Sequence, residues 1–233
     1  METPLILLHG AIGSAAQFDA LRPHLGSERP VFALSFPGHG GSSADEPFSM
    51  SRFSDFVLRF LEKEKVVRAD FFGYSMGGYV ALYLAWQHPE RVRRVFTLGT
   101  KFDWTPETAA RESAMLNAEK IAEKVPAFAQ MLAARHAPAD WKEVLRRTAD
   151  MLRDLGAGQG LPAEAFARIG CPVTIGLGEL DNMVTLEESR AVASALPRGS
   201  LEILTACKHP MEQVDVVLLA ERLCKYFELN VKT

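Results

Sequence analysis

Five short stretches carry residue types from which chemistry could be built. They are His9-Gly10-Ala11-Ile12-Gly13, Phe36-Pro37-Gly38-His39-Gly40-Gly41-Ser42, Gly73-Tyr74-Ser75-Met76-Gly77-Gly78, Glu179-Leu180-Asp181 and Lys208-His209-Pro210. Ser75 stands among three glycines, where a plain turn needs one or two. Such a bend holds the serine clear of its surroundings. A serine hydroxyl is a poor nucleophile until a base takes its proton. His209 is the candidate base, and Asp181 the candidate acid that would orient it, with Glu179 and Asp103 as rivals. Each has a simpler reading: Ser75 as a helix cap before Met76, His209 as a surface loop histidine, Asp181 as a turn aspartate. The chemistry that would use all three is acyl transfer.

These stretches need a scaffold, and hydrophobic periodicity supplies one. Residues 4–8, 31–36, 70–73, 94–99, 172–178 and 201–204 are short, nearly continuous apolar runs, the pattern of strands covered on both faces. Helical patterns fall between them, at Ala16–Leu25, Met50–Lys65, Met76–Gln87, Leu186–Leu196 and Val214–Glu228. Thr185 and Glu188 fit a capping box for the fourth, and Pro197 stops it. Alternating strands and crossover helices predict an α/β fold with a doubly wound, mostly parallel sheet. Ligands of such sheets bind outside the carboxyl ends of the strands, which is where all five stretches lie.

Residues 103–160 break the alternation. They show helical patterns at 105–125, 126–136 and 139–155 and no strand. The expected organisation is a core of residues 1–102 and 161–233 with a helical cap, or lid, at 103–160. Met115, Leu116, Met131, Leu132, Trp141, Leu145, Met151 and Leu152 would give that insertion an apolar underside.

Bulk properties narrow the function classes. A chain of 233 residues suits one domain with an insertion. The net charge of −3 and the lack of a Lys/Arg run argue against a nucleic-acid or membrane surface. The apolar run Leu5–Leu8 is too short for a signal peptide or a membrane span. Cys171, Cys207 and Cys224 form no CxxC pair or zinc spacing, so free thiols in a reducing, cytoplasmic compartment are expected. His24, His88 and His136 have no partner at ligand spacing, and no metal site or cofactor is expected. Gly156 to Gly160 lacks the third glycine spacing of a dinucleotide loop and follows no strand, so it reads as the exit from the insertion.

Taken in chain order, the HG loop, the PGHGGS loop, the elbow G-x-S-x-G, the Asp loop and the His loop resemble the α/β-hydrolase fold family, over nearly all the chain outside the insertion. The resemblance implies about six strands, the family's usual eight less the first two. It implies Ser75 as nucleophile, His209 as base and Asp181 as triad acid. The backbone N–H groups of Met76 and Ala11 would form the oxyanion hole, and Ile12 and Tyr74 would wall the substrate pocket. His9 and His39 would brace their loops. A serine at the elbow disfavours the branches that place aspartate there. A lyase branch shares the GYSMGG piece but carries arginine where this chain has Tyr79. The implied activity is hydrolysis of a small to medium, mainly apolar ester. Thioester or C–C hydrolysis, the lyase, and a slow-turnover ligand receptor are the alternatives, and the oligomeric state is left open.

Overall fold

The computed structural model describes residues 3–26, 28–43 and 46–229. Its six strands are β1 (Leu5–Leu8), β2 (Val31–Leu34), β3 (Ala69–Tyr74), β4 (Val92–Leu98), β5 (Val173–Gly178) and β6 (Gly199–Leu204). They form one sheet in the order β2-β1-β3-β4-β5-β6, with every neighbouring pair parallel. The helices are α1 (Met50–Lys63), α2 (Met76–Gln87), α3 (Pro106–Met115), α4 (Ala118–Lys124), α5 (Pro126–His136), α6 (Trp141–Gly156), α7 (Ala163–Arg168), α8 (Leu186–Ala195) and α9 (Val216–Phe227). The outer bounds of the expected core, residues 1–2 and 230–233, lie outside the described residues.

The continuous apolar runs are explained by packing on both sheet faces. Along β1, Ile6 and Leu8 join the layer holding Phe53 and Val57 of α1, Val80 of α2 and Val192 of α8. Leu5 and Leu7 face the other way, onto Leu219, Leu223 and Phe227 of α9 with Phe18 and Leu21. All four β1 side chains are fully buried. Truncating any of them to alanine would cost about 2–5 kcal/mol.

The helix at Ala16–Leu25 is corrected. Two 3₁₀ turns, Ala15–Phe18 and Arg22–His24, stand there instead. Pro23 has no N–H, and its ring would clash with a helical carbonyl one turn earlier, so only short i to i+3 bonds form. The long pattern over 105–125 splits at Asn117, whose side chain accepts from the N–H of Lys120 and starts α4 afresh. Thr185 and Glu188 make both bonds of a capping box. Met115 is exposed, so it adds nothing to an apolar underside, whereas Leu132, Leu145, Met151 and Leu152 are buried.

Candidate active site

β3 lies inside the sheet, and its last residue leads directly into Ser75 and α2. Ser75 has φ 51° and ψ −118°, a conformation L residues avoid, which costs about 1–3 kcal/mol. The surroundings hold it there. Its N–H donates to the Leu98 carbonyl at 2.8 Å, and its own carbonyl accepts from Thr100 Oγ1 at 2.9 Å and from Gly78 N at 3.0 Å. The start of α2 presses onto the end of β1. A Cβ at Gly77 would collide with the Leu8 carbonyl, and one at Gly73 would lie 2.5 Å from the Gly77 carbonyl carbon. Ser75 occupies the cap position of α2, yet its side chain makes no capping hydrogen bond. The simpler reading of this serine is therefore not what the fold uses.

Asp181 and His209, 28 residues apart, meet beyond the ends of β5 and β6. His209 Nδ1 lies 2.8 Å from Asp181 Oδ2, with both side chains almost wholly buried. The other carboxylate oxygen accepts from the N–H groups of Met183 at 2.8 Å and Val184 at 3.0 Å. Burial pushes this carboxyl up, but the His209 and backbone hydrogen bonds outweigh it and hold Asp181 below the usual carboxylate range. An ionised Asp181 makes Nδ1 the protonated ring nitrogen and leaves Nε2 to accept a proton. Gly99, at φ 61°, lies against the pair: a Cβ there would come within 3.1 Å of Asp181 Oδ2. Of the rival acids, Glu179 accepts from Ala206 N–H, and the Asp103 backbone N–H donates to Glu188. Asp181 is the acid in contact with the histidine.

The loop after β1 turns sharply. Gly13 N–H donates to the Gly10 carbonyl at 3.1 Å, leaving Ala11 and Ile12 at the corners. Ile12 has φ 54°, rare for a β-branched residue. A Cβ on Gly10 would lie 3.3 Å from Ser75 Cβ, so this turn sits beside the serine. Met76 is the first residue of α2, where backbone N–H groups lack helical acceptors and favour negative charge.

Tyr74 is built into the frame of this site. It is buried, and its hydroxyl donates to the His209 carbonyl at 2.9 Å, which steadies the histidine loop. Tyr79 receives the Leu161 N–H on its hydroxyl at 2.7 Å, tying α2 to the segment after α6. His9 and His39 are both fully buried. His9 Nδ1 donates to the Gly10 carbonyl at 2.7 Å while Nε2 accepts from Phe36 N–H at 3.0 Å. Burial lowers the His9 pKa to about 3, so it stays neutral, as both bonds require. Burial likewise holds His39 well below its ordinary value.

Sequence reasoning missed four residues here: Arg135, His136, Gln17 and Glu212. His136 Nε2 donates to the Ile12 carbonyl at 3.0 Å, and its Nδ1 accepts from Gly40 N–H at 3.2 Å. No local pattern announces a contact across 124 residues. Among the described residues, no group of three or more His, Cys, Asp or Glu side chains could hold a metal ion. No helix among them is long and apolar enough to cross a membrane.

Comparisons with known proteins agree with this architecture. Pimeloyl-[acyl-carrier protein] methyl ester esterase of Neisseria meningitidis (strain FAM18) is 40% identical over 87 residues, 37% of this chain and 32% of that protein. The match thus spans about a third of that relative's length. The 2-hydroxymuconate semialdehyde hydrolase of Pseudomonas sp. (strain CF600) is 34% identical over 102 residues, 42% of this chain and 36% of that one. The enol-lactonase of Burkholderia xenovorans LB400 superposes with a TM-score of 0.75 at 17% identity, covering 98% of this chain and 92% of the other, a likeness of fold. A family model described as alpha/beta hydrolase fold matches residues 3–142. With one parallel six-stranded sheet, a glycine-ringed elbow and a model match over more than half its length, the chain belongs to the alpha/beta hydrolase fold family.

Proposed function

We propose that this protein is a serine hydrolase of small to medium, mainly apolar carboxylic esters. The observation that carries the reading is the 2.8 Å contact between His209 Nδ1 and Asp181 Oδ2, on the same end of the sheet as the strained Ser75 elbow. His209 Nε2 takes the Ser75 proton as Oγ attacks the ester carbonyl. The tetrahedral oxyanion is met by the N–H groups of Met76 and Ala11, aided by the N-terminus of α2. Proton transfer from His209 expels the alcohol and leaves an acyl-enzyme. A water deprotonated by the same nitrogen then releases the acid and restores Ser75. Ile12, at the corner of the oxyanion turn, borders the acyl pocket.

Residues 103–160 act as the cap. The bonds from α5 to the loops after β1 and β2, and the Tyr79–Leu161 tie, support that placement. Tyr79 has its hydroxyl committed to this tie, which disfavours the lyase reading that needs a cation there. The relatives named as methyl ester esterases support the ester reading over the alternatives. The three cysteines form no disulfide, in keeping with a reducing compartment such as the cytoplasm.

Labelling with a fluorophosphonate probe tests the reading, comparing wild type with Ser75→Ala. Wild-type labelling that Ser75→Ala abolishes is expected, followed by turnover of p-nitrophenyl esters with an optimum at short to medium acyl chains. An unlabelled wild type would overturn it in favour of a binding protein. A strict need for a charged acyl group would overturn the apolar pocket.

A further inference from the structure

The oxyanion turn is held in place by a helix far from it in sequence. Ile12 sits at positive φ, and relaxation to negative φ would rotate the neighbouring peptide planes. Its carbonyl is pinned by two donors from the last turn of α5. His136 Nε2 donates at 3.0 Å and Arg135 Nη1 at 3.3 Å. His136 is fully buried and also accepts Gly40 N–H, so one ring clamps the loops after β1 and β2 together. Arg135 extends the hold to the histidine loop. Its Nη2 donates at 2.8 Å to Glu212 Oε1, three residues beyond His209. Glu212 Oε1 also accepts from Gln17 Nε2 at 3.4 Å, and Gln17 Oε1 accepts Gly10 N–H at 3.3 Å. A closed circuit runs from Gly10 through Gln17, Glu212 and Arg135 to Ile12, gripping the turn on both sides.

We propose that His136 and Arg135 are positioning residues that lock the Gly10–Gly13 turn in its strained form and so keep the Ala11 N–H aimed at the oxyanion. The proposal rests on the hydrolase reading above. It makes catalytic competence depend on the seating of α5: a cap segment lifted from its place also releases an oxyanion donor. The need for a neutral, Nε2-protonated His136 is met by its burial, which lowers its pKa.

The two ring nitrogens can be separated by substitution. In His136→Asn the amide oxygen replaces Nδ1, keeping the Gly40 bond and losing the Ile12 bond. In His136→Gln the amide nitrogen reaches the Nε2 position and keeps the Ile12 bond. With p-nitrophenyl butyrate, His136→Asn should lower kcat roughly 10–100-fold with KM within about 3-fold, the size of a misplaced oxyanion donor. His136→Gln should recover to within a few-fold of wild type. Arg135→Met, at a partly exposed site, should lower kcat by a few-fold. Amide hydrogen exchange over Gly10–Gly13 should quicken in His136→Asn and stay slow in His136→Gln. Equal loss in both His136 variants, or wild-type kcat in His136→Asn, would overturn the lock. So would unchanged exchange in both, a result that needs no turnover. A wild type that neither labels nor turns over would instead sink the hydrolase reading and the catalytic role with it.

Discussion

Two buried aspartates sit toward opposite ends of the sheet, and their surroundings push them in opposite directions. Asp181, beyond the carboxyl end of β5, places its carboxylate among three hydrogen bonds that use both oxygens. Asp70, near the start of β3, receives Arg29 at 2.8 Å and Arg93 at 3.0 Å on one oxygen, Oδ2. Its Oδ1 is buried without a hydrogen-bond partner. Asp181 is held below the usual carboxylate range. Burial pushes Asp70 above it, despite the nearby Arg93, Arg29 and Arg94. Burial raises both carboxyls; hydrogen bonds to both oxygens outweigh it at Asp181, and the arginines gathered on one oxygen do not at Asp70, since a buried ion pair repays desolvation only when its remaining atoms are also bonded. One end of β3 serves folding, and the other end carries the candidate chemistry.

The sharpest way to break this contrast is Asp181→Asn. It should cut kcat by about 10³–10⁴-fold, the loss expected when a histidine takes the wrong tautomer. Its thermal midpoint should change far less, and kinetics beside calorimetry would check both. Arg29→Met probes the opposite end. It leaves the Asp70 carboxylate short of a buried partner and should cost about 3–5 kcal/mol in urea unfolding while the kinetic constants hold. Arg29 also donates to the carbonyls of Thr3 and Phe227, so their loss adds to the effect.

Acid titration of stability separates the two aspartates by sign. The lowered Asp181 contributes stability above the usual carboxylate range that is lost as pH falls through its folded value. The raised Asp70 does the reverse, since its folded form keeps a proton the unfolded chain has released. Asp181→Asn should therefore flatten the loss of stability on acidification, and Asp70→Asn should steepen it, read from unfolding free energies between about pH 3 and 5. A third pH dependence belongs to His39, a buried base held below its ordinary value, whose contribution is present above pH 6.5 and lost below it. It packs between Phe48 and Phe53, and its Nε2 has no described partner. His39→Phe should reduce the slope of stability below that pH by one proton, about 1.4 kcal/mol per pH unit. At neutral pH it should cost about 1–3 kcal/mol, because the His39 Nδ1 hydrogen bond to the Pro37 carbonyl, 3.2 Å, is lost.

Much of this was legible along the chain because it is encoded locally. Apolar runs of β1 and β5 mark strands buried on both faces, and Met76–Gln87 matches the helix residue for residue. The glycines around Ser75 announce an elbow because no side chain fits at Gly77 against Leu8, at Gly73 against the start of α2, or at Gly78 against Thr97 and Thr100. Where a single residue interrupts a periodic run, the pattern misleads: Pro23 turns an apparent helix into two 3₁₀ turns, and α7, at six residues, is too short to show a period.

By itself the sequence determined which residues stand at strand ends, since alternation of apolar runs and turn residues is a local property. Ser75, Asp181 and His209 follow from that. What only the tertiary structure decided is how those loops are joined. Asp181 rather than Glu179 meets the histidine because the turn after β5 aims one carboxylate at His209 and the other at Ala206. Tyr74 faces the histidine loop, and His136 reaches Ile12 and Gly40. These contacts depend on how helices and loops pack across more than a hundred residues, and no spacing within one segment carries that information.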